Sequence, residues 1–336
     1  MYNWLLIKYV NYYIINNKLN QSKKGNIMAS FAYIKELFEK KDKNGNGYLD
    51  LLVIGSDKKE YPAKVWQFDN NGQFEKDDVV EIEYTLDNYR GKNQLTITSI
   101  KKAPSDMIKE FVPASEHDGK AVFAMLLNKV NAFKDGELKA IVKDIMLQNR
   151  EALEVFPAAY RLHHAIVGGL MLHTASIVEM AEKTCEVYPN INRELLLAGA
   201  ILHDVAKTFE MNTGKTGLCT GYTVGGELIG HLVKGAMMVN DTAKKLGISS
   251  ETVTLLEHMI LSHHGIPEYG AAVRPMFLEA EILSTLDSLD ATIFEFNSAA
   301  SKVEPGEFSD RQWMLDNRKV FNHGLAPSDY KVNLGE

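Results

Sequence analysis

Eight of the ten histidines in this sequence fall between residues 163 and 264, and several stand where a helix would turn them toward the interior. His173 shares a helical face with Ile166, Leu170, Ile177 and Met180. In "LLLAGAILHDVAKTFE", residues 195–210, a neutral apolar run is broken by His203, Asp204 and Lys207. His231 follows Leu228, His263 follows Leu256, Met259 and Ile260, and Asp287 follows Ala280 and Leu283, all at helical spacing. A lone inward histidine is ordinarily hydrogen-bonded packing. Five helices each burying an ionisable group make a different case, because every such group needs a partner and unpaired burial is costly. A shared metal would satisfy them together. Imidazole combined with carboxylate suits zinc, manganese, iron or nickel, and the absence of thiolate argues against a purely structural zinc.

The elements that must position these groups are helices. Between about 120 and 300 the apolar period is 3.6, which predicts helices near 120–134, 137–154, 164–187, 192–207, 227–245, 251–264 and 276–296. Upstream the period is two: Val80, Ile82, Tyr84 and Leu86 alternate with polar residues, as do Leu95 and Ile97, and turn signals at 69–73 and 89–93 separate the runs. Several short strands in about 55 residues fit a small Greek-key barrel such as an OB-fold, with an SH3-like barrel as the competitor. The expected fold class is therefore α+β multidomain, a small N-terminal β-barrel followed by an all-α domain. The expected divisions are a helical lead-in at 28–47, the barrel at 48–103, a linker at 104–119, the helical domain at 120–303 and a C-terminal extension at 304–336. Residues 1–27 are apolar but interrupted by Lys8 and lack a cleavage signal, so they read as an extra segment, with native translation expected to begin at Met28.

Composition sets outer bounds. The chain of 336 residues is 45% hydrophobic and 24% charged, which permits a substantial core. A net charge of −7 argues against a protein that holds nucleic acid by bulk electrostatics alone, so an anionic substrate needs a local positive centre. Cys185 and Cys219, the only cysteines, have no paired spacing, which fits a reducing cytoplasm without disulfides. Neither a signal peptide nor a membrane span is expected. Two stretches imitate other chemistry. Residues 42–53 place Asp42, Asn44, Asn46 and Asp50 like a calcium loop but end on Val53 where a bidentate Glu is needed, so a Gly/Asn-rich turn is the better reading. His117-Asp118 lies among turn formers and reads as solvated linker or helix cap.

The order His173, then His203-Asp204, then Asp287 resembles the HD superfamily of metal-dependent phosphohydrolases, whose ligands come from successive helices of an all-helical core. His231 and the pair His263-His264 look like the extra histidines of its binuclear members. More narrowly, "RLHHAIVGGLMLHT", "LLLAGAILHDVAKTFE", "IGHLVKGAMMV", "SHHGIPEYGAAVRPMFLEAEIL", "LDSLDA" and "EPGEFSDRQWMLDNR", behind a small barrel, are similar to the YhaM-type 3′-to-5′ exoribonuclease family. The likeness covers about 48–320.

The resemblance implies a divalent metal, manganese foremost with iron, cobalt, nickel or zinc as alternatives, at one or two ions per site. It implies that His173, His203, Asp204 and Asp287 hold one ion and that Asp204 shares a second with His231 and either His263 or His264, the former preferred. Asp204 and Lys207 then carry the catalytic roles, Lys207 setting a positive charge beside a phosphate oxygen, and Asp290 supports instead of ligating. His163, His164 and Arg274 are candidate substrate contacts. In the barrel, Trp66, Phe68 and Lys64 share strand parity and are the candidates for stacking bases and meeting phosphates, with Tyr84, Tyr89, Lys58, Lys59, Arg90 and Lys92 also available. The implied partner is single-stranded RNA, or single-stranded DNA, hydrolysed from its 3′ end to nucleoside 5′-monophosphates; there is no membrane partner, and homo-oligomerisation is left open. Two rival readings remain. One is an HD-type phosphodiesterase or nucleotidase acting on a small nucleotide, although "SHHGIPEYG" lacks the GYP signature of the cyclic-dinucleotide enzymes. The other is a non-catalytic nucleic-acid-binding factor, against which stands the occupation of every ligand position.

Overall fold

The structure, a computed structural model, describes residues 27–57, 59–89, 92–104, 107, 110–160, 164–325 and 331–334. The chain divides into two units after Val112. In the first, β1 (Met28–Lys41), β2 (Gly47–Gly55), β3 (Glu60–Trp66), β4 (Val79–Tyr89) and β5 (Lys92–Lys102) close into a barrel in the order β1-β2-β3-β5-β4. The β3–β5 pair is parallel and the other pairs are antiparallel. This is the OB-fold arrangement, and closure leaves no free sheet edge. Ile34, Leu49, Val53, Ala63, Val80 and Ile82 fill the interior. Each large aliphatic side chain so buried contributes roughly 1.5–3 kcal/mol.

The barrel begins earlier than expected. Residues 28–47, read from sequence as a helical lead-in, are β1 and the turn after it. The cause is a β-bulge: β1 pairs with β2 through Ile34↔Val53 and then Glu36↔Leu52, so Lys35 is the inserted residue. The bulge moves the inward position from Ile34 to Leu37, a spacing of three that imitates a helix. In the turn at 42–46 the Asp42 carboxylate accepts hydrogen bonds from Asn44 N and Asn46 N at 2.8 and 2.9 Å, which closes the hairpin.

The second unit is helical: α1 (Gly119–Asn131), α2 (Gly136–Gln148), a single turn α3 (Arg150–Leu153), α4 (Gly169–Val187), α5 (Arg193–Leu202), a single turn α6 (Lys207–Glu210), α7 (Val224–Leu246), α8 (Glu251–Ser262) and α9 (Leu278–Ala300). A small hairpin, β6 (Met211–Thr213) and β7 (Cys219–Tyr222), separates α6 from α7. Every residue of α5 from Leu195 to Leu202 is buried, the signature of a helix running through a core. Asn192 caps it, its side chain accepting from Leu195 N. Asp118 caps α1 in the same way, and His117 Nε2 lies 2.8 Å from Val332 O, so the His117-Asp118 pair is structural.

Three breaks differ from the periodicity. The helix expected at 164–187 begins only at Gly169, because Gly168 has φ 74° and a Cβ on Gly169 would lie 2.0 Å from His164 O. The helix expected to run to 207 ends at Leu202, and a turn over 203–206 separates α5 from α6. Gly230, at φ 74° and ψ 165°, kinks α7 immediately before His231. Leu228, the residue that made His231 look inward, is accordingly 80% exposed while His231 is buried. The C-terminal extension folds back within this unit, where Leu315 and Val320 pack on Ala299, and Leu334 joins the main core. No helix among the described residues is long and apolar enough to cross a membrane.

Candidate metal centre

Two helix ends meet at the centre. His203 follows α5 and His263 follows α8, and each ring lies with Nδ1 near the carbonyl three residues back, Ala200 O at 2.8 Å and Ile260 O at 2.7 Å. Those carbonyls belong to the set left unpaired at a helix C-terminus, so each histidine caps its own helix. The negative ends of both helix dipoles then point at the same place, which favours a cation there. A carbonyl can only accept, so Nδ1 of both rings carries the proton and Nε2 presents a lone pair.

The other rings are fixed by the same logic. His173 Nδ1 is 2.7 Å from Asp290 Oδ2, His231 Nδ1 is 2.9 Å from Glu210 Oε1, and His264 Nδ1 is 2.9 Å from Tyr269 O. Five imidazoles therefore turn Nε2 toward a common space. At its middle is Asp204, 2% exposed. Its Oδ2 lies 2.6 Å from Lys207 Nζ, 3.3 Å from His203 Nε2 and 3.6 Å from His173 Nε2. Its Oδ1 faces the opposite set, His231 Nε2 at 3.4 Å and His263 Nε2 at 3.7 Å. Asp287 Oδ1 approaches His173 Nε2 at 3.1 Å.

The donor set fits a divalent cation. Asp204 Oδ1, His231 Nε2 and His263 Nε2 are buried without a hydrogen-bond partner among the described residues, although such atoms are almost always paired. Ligand atoms of His231, His263 and His264 lie within 4.8 Å of one another, as do those of His173, His203 and Asp204. Among the described residues carboxylates dominate the local charge, with Asp204, Asp287, Asp290 and Glu210 against Lys207. Burial disfavours a charged His173, but Asp287 and Asp290 outweigh it and push that imidazole up to about 10; a proton there does what a metal cation would do better. Burial pulls His263 down to about 4, keeping it a neutral ligand. Burial also opposes charge on Asp204, yet Lys207 first and His203 next hold its carboxyl well below the usual range. Lys207 stays an ammonium because Asp204 more than offsets its own burial.

The structure brings together His173, His203, Asp204, Lys207, His231, His263, His264 and Asp287 as expected from the sequence. It separates others. His164 is fully buried with Nε2 2.8 Å from Asp290, so it braces the centre and is not available to substrate. His163 lies outside the described residues, as do Lys58, Arg90 and the side chains of Tyr89 and Lys92. Arg274 is exposed on the loop between His264 and α9. In the barrel, Trp66 is 46% exposed and Lys64 Nζ sits 5.0 Å from its ring centroid. Phe68 does not share that face: Gln67 adopts φ 52°, the strand ends, and the Phe68 ring turns in against Phe74 with centroids 5.9 Å apart. Tyr84 is buried. Tyr48 replaces both, its ring 4.8 Å from that of Trp66 across the β2–β3 pair.

Sequence reasoning missed Glu210, which fixes His231 by side chain and by accepting from its backbone N at 3.1 Å. The signal was available: Glu210 follows His203 by seven, two turns on one face, had the helix been continuous. Ser176, which hydrogen-bonds the other oxygen of Asp290, left no signal beyond its helical register with His173.

The model of the HD domain matches residues 170–292, the stretch from α4 to α9 that carries the candidate metal-holding residues. Among curated proteins, the chain is similar to a 3'-5' exoribonuclease YhaM of Listeria welshimeri, 33% identical over 303 residues, covering 89% of this chain and 96% of that protein. A 3'-5' exoribonuclease YhaM of a Geobacillus species is 32% identical, covering 87% of this chain and 90% of its own. The chain belongs to the YhaM family. Its HD domain implies dependence on a divalent metal.

Proposed function

We propose that this chain is a divalent-metal-dependent 3′-to-5′ exoribonuclease that trims single-stranded RNA, and single-stranded DNA where offered, to nucleoside 5′-monophosphates in a bacterial cytoplasm. The observation that carries the reading is the position of Asp204, whose two oxygens face two different imidazole sets. On this reading His173, His203, Asp204 and Asp287 hold one ion, and Asp204, His231, His263 and His264 hold the other. His264 is a ligand in its own right, since its Nδ1 is already tied to Tyr269 O. Manganese is the proposed native ion, because an imidazole and carboxylate set without thiolate suits it. Bound there, a metal pair supplies Lewis acidity and brings the pKa of water toward about 7.

The protein's own groups do the remaining work. Water adds to phosphorus in line, the bond from phosphorus to the 3′ oxygen of the penultimate nucleotide breaks, a proton from the water ends on that oxygen as a 3′ hydroxyl, and the phosphate stays on the departing nucleotide. Lys207 Nζ, held at Asp204, offsets charge that grows on the phosphoryl oxygens. Asp290 and Glu210 keep Nε2 of His173 and His231 aimed inward, as the outer partners of metal-ligating histidines commonly do. Arg274 is the candidate for a second phosphate contact. The barrel face of Tyr48, Lys64 and Trp66 gives bases a stacking surface and phosphates a charge.

The test is incubation with Mn²⁺ and 5′-labelled single-stranded RNA, with matching DNA alongside. A ladder shortening from the 3′ end is expected, lost with a chelator; RNA left intact under these conditions ends the proposal.

A further inference from the structure

The metal centre is not closed equally on all sides. The rings of His173, His203 and His263 are fully buried, whereas the side chains of Asp287, Glu210 and Lys207 retain 15%, 12% and 11% of their exposure. These three side chains are points where the centre is not sealed from solvent.

Tyr222 is anchored to the chain segment that carries two of these three side chains. It is the last residue of β7 and pairs with Met211, the residue after Glu210. Thr223, next in the chain, donates its backbone N–H to Glu210 O at 2.9 Å and its hydroxyl to Phe209 O at 3.0 Å. The Tyr222 backbone is thus tied to α6, the short helix that carries both Lys207 and Glu210. Its ring is 45% exposed and meets Tyr160 edge-on, with centroids 6.2 Å apart and planes at 75°. Burial and the Glu210 carboxylate push the Tyr222 phenol up while Lys207 opposes them, so the ring lies in the electrostatic reach of both.

Tyr160 approaches from the other limb of the site. It lies two residues after Ala158, whose N–H donates to His164 O at 3.1 Å, and His164 braces Asp290 and through it His173. An edge-to-face contact fixes the orientation of the exposed ring and leaves a π face open, which is what a nucleobase needs. Every base has a π face, so such a platform grips any sequence, as an exonuclease requires.

We propose that Tyr222, braced by Tyr160, is the platform on which the 3′-terminal base of the substrate stacks, setting the last phosphodiester at the open side of the metal centre. This rests on the exoribonuclease reading. The platform acts by positioning, so its signature is discrimination between a terminal nucleotide that has a base and one that lacks it.

The experiment uses the full chain with Mn²⁺ and two oligoribonucleotides that differ only in an abasic 3′-terminal residue. Wild-type protein is expected to remove the base-bearing nucleotide about tenfold more efficiently in kcat/KM, the usual weight of one base–aromatic stack. Tyr222→Phe should keep that ratio, and Tyr222→Ala should bring it close to one. A second readout needs no turnover: an oligoribonucleotide ending in 2-aminopurine, bound with the metal chelated, should be quenched by wild type and by Tyr222→Phe but not by Tyr222→Ala. A wild-type ratio near one, or a Tyr222→Ala ratio equal to wild type, overturns the platform alone. Wild-type protein that leaves both oligonucleotides intact overturns the exoribonuclease reading and this inference with it.

Discussion

In the barrel, Ile34, Leu49, Val53 and Ala63 fill the interior, and the charged residues of the same strands point outward, where Lys40 pairs with Asp50 across β1 and β2. In the helical unit the same kinds of apolar residue surround a buried set of histidines and carboxylates that no apolar core would need. The barrel's outer pairs are screened by water and contribute little. The helical unit's inner groups are shielded from water and hold one another in place. One unit thus presents its polar chemistry on a surface, and the other builds it into a wall.

That contrast can be broken by experiment. The largest effect belongs to Asp204→Asn, which should lower ribonuclease turnover on the order of a thousandfold, since it removes a buried carboxylate whose two oxygens face the two imidazole sets. Elemental analysis should show bound metal falling with it; normal metal content together with normal turnover would place the chemistry elsewhere. Chelation comes next. It should destabilise the helical unit alone, by about 3–4 kcal/mol if the metal was at a few hundred times its dissociation constant. Calorimetry should resolve a barrel transition that does not move, and a barrel that shifts equally would erase the distinction drawn above. Glu210→Gln should weaken metal affinity roughly 10- to 100-fold while leaving far-ultraviolet circular dichroism intact. Trp66→Ala should weaken RNA binding by about 1–3 kcal/mol without touching metal content, because the barrel face acts on substrate only.

The smallest effect concerns pH. Burial of Glu182 would raise its carboxyl, but Arg193 and then Lys129 hold it below the usual range in the folded protein. A depressed folded value contributes stability that is present above the unfolded value, near 4.5, and lost as pH falls through the folded one. Urea midpoints of wild type and Glu182→Gln should therefore differ by no more than about 1 kcal/mol at pH 7 and converge toward pH 3.

How much of this was legible in the sequence also differs between the two units. His173, His203, His263 and Asp287 stood out because one polar group in an apolar helical stripe is conspicuous, and the neighbours that made them look inward, such as Leu256, Met259 and Leu283, are indeed buried. His231 was placed correctly on a neighbour that misled, since the Gly230 kink turns Leu228 outward and His231 inward. Local conformation of this kind leaves only a glycine behind as a trace. In the barrel the strands with clean alternation were readable, whereas β1 was not, because the single inserted residue Lys35 turns a period of two into a step of three. The same class of event, a left-handed residue at Gln67, moved Phe68 off the face that parity assigned to it. Ser176 was invisible for another reason, since a group that steadies a neighbour from behind has no pattern of its own, and the spacing of Glu210 from His203 spoke only for a helix that the turn at 203–206 in fact breaks.

The capping of α5 and α8 by His203 and His263 bears on which element the protein carries in a cell. Because each ring is anchored to its own backbone, losing an ion does not let the imidazoles swing apart, and the empty nest keeps its shape. Loading then asks little rearrangement of the polypeptide, so occupancy should track the supply of exchangeable divalent ions in the surrounding fluid.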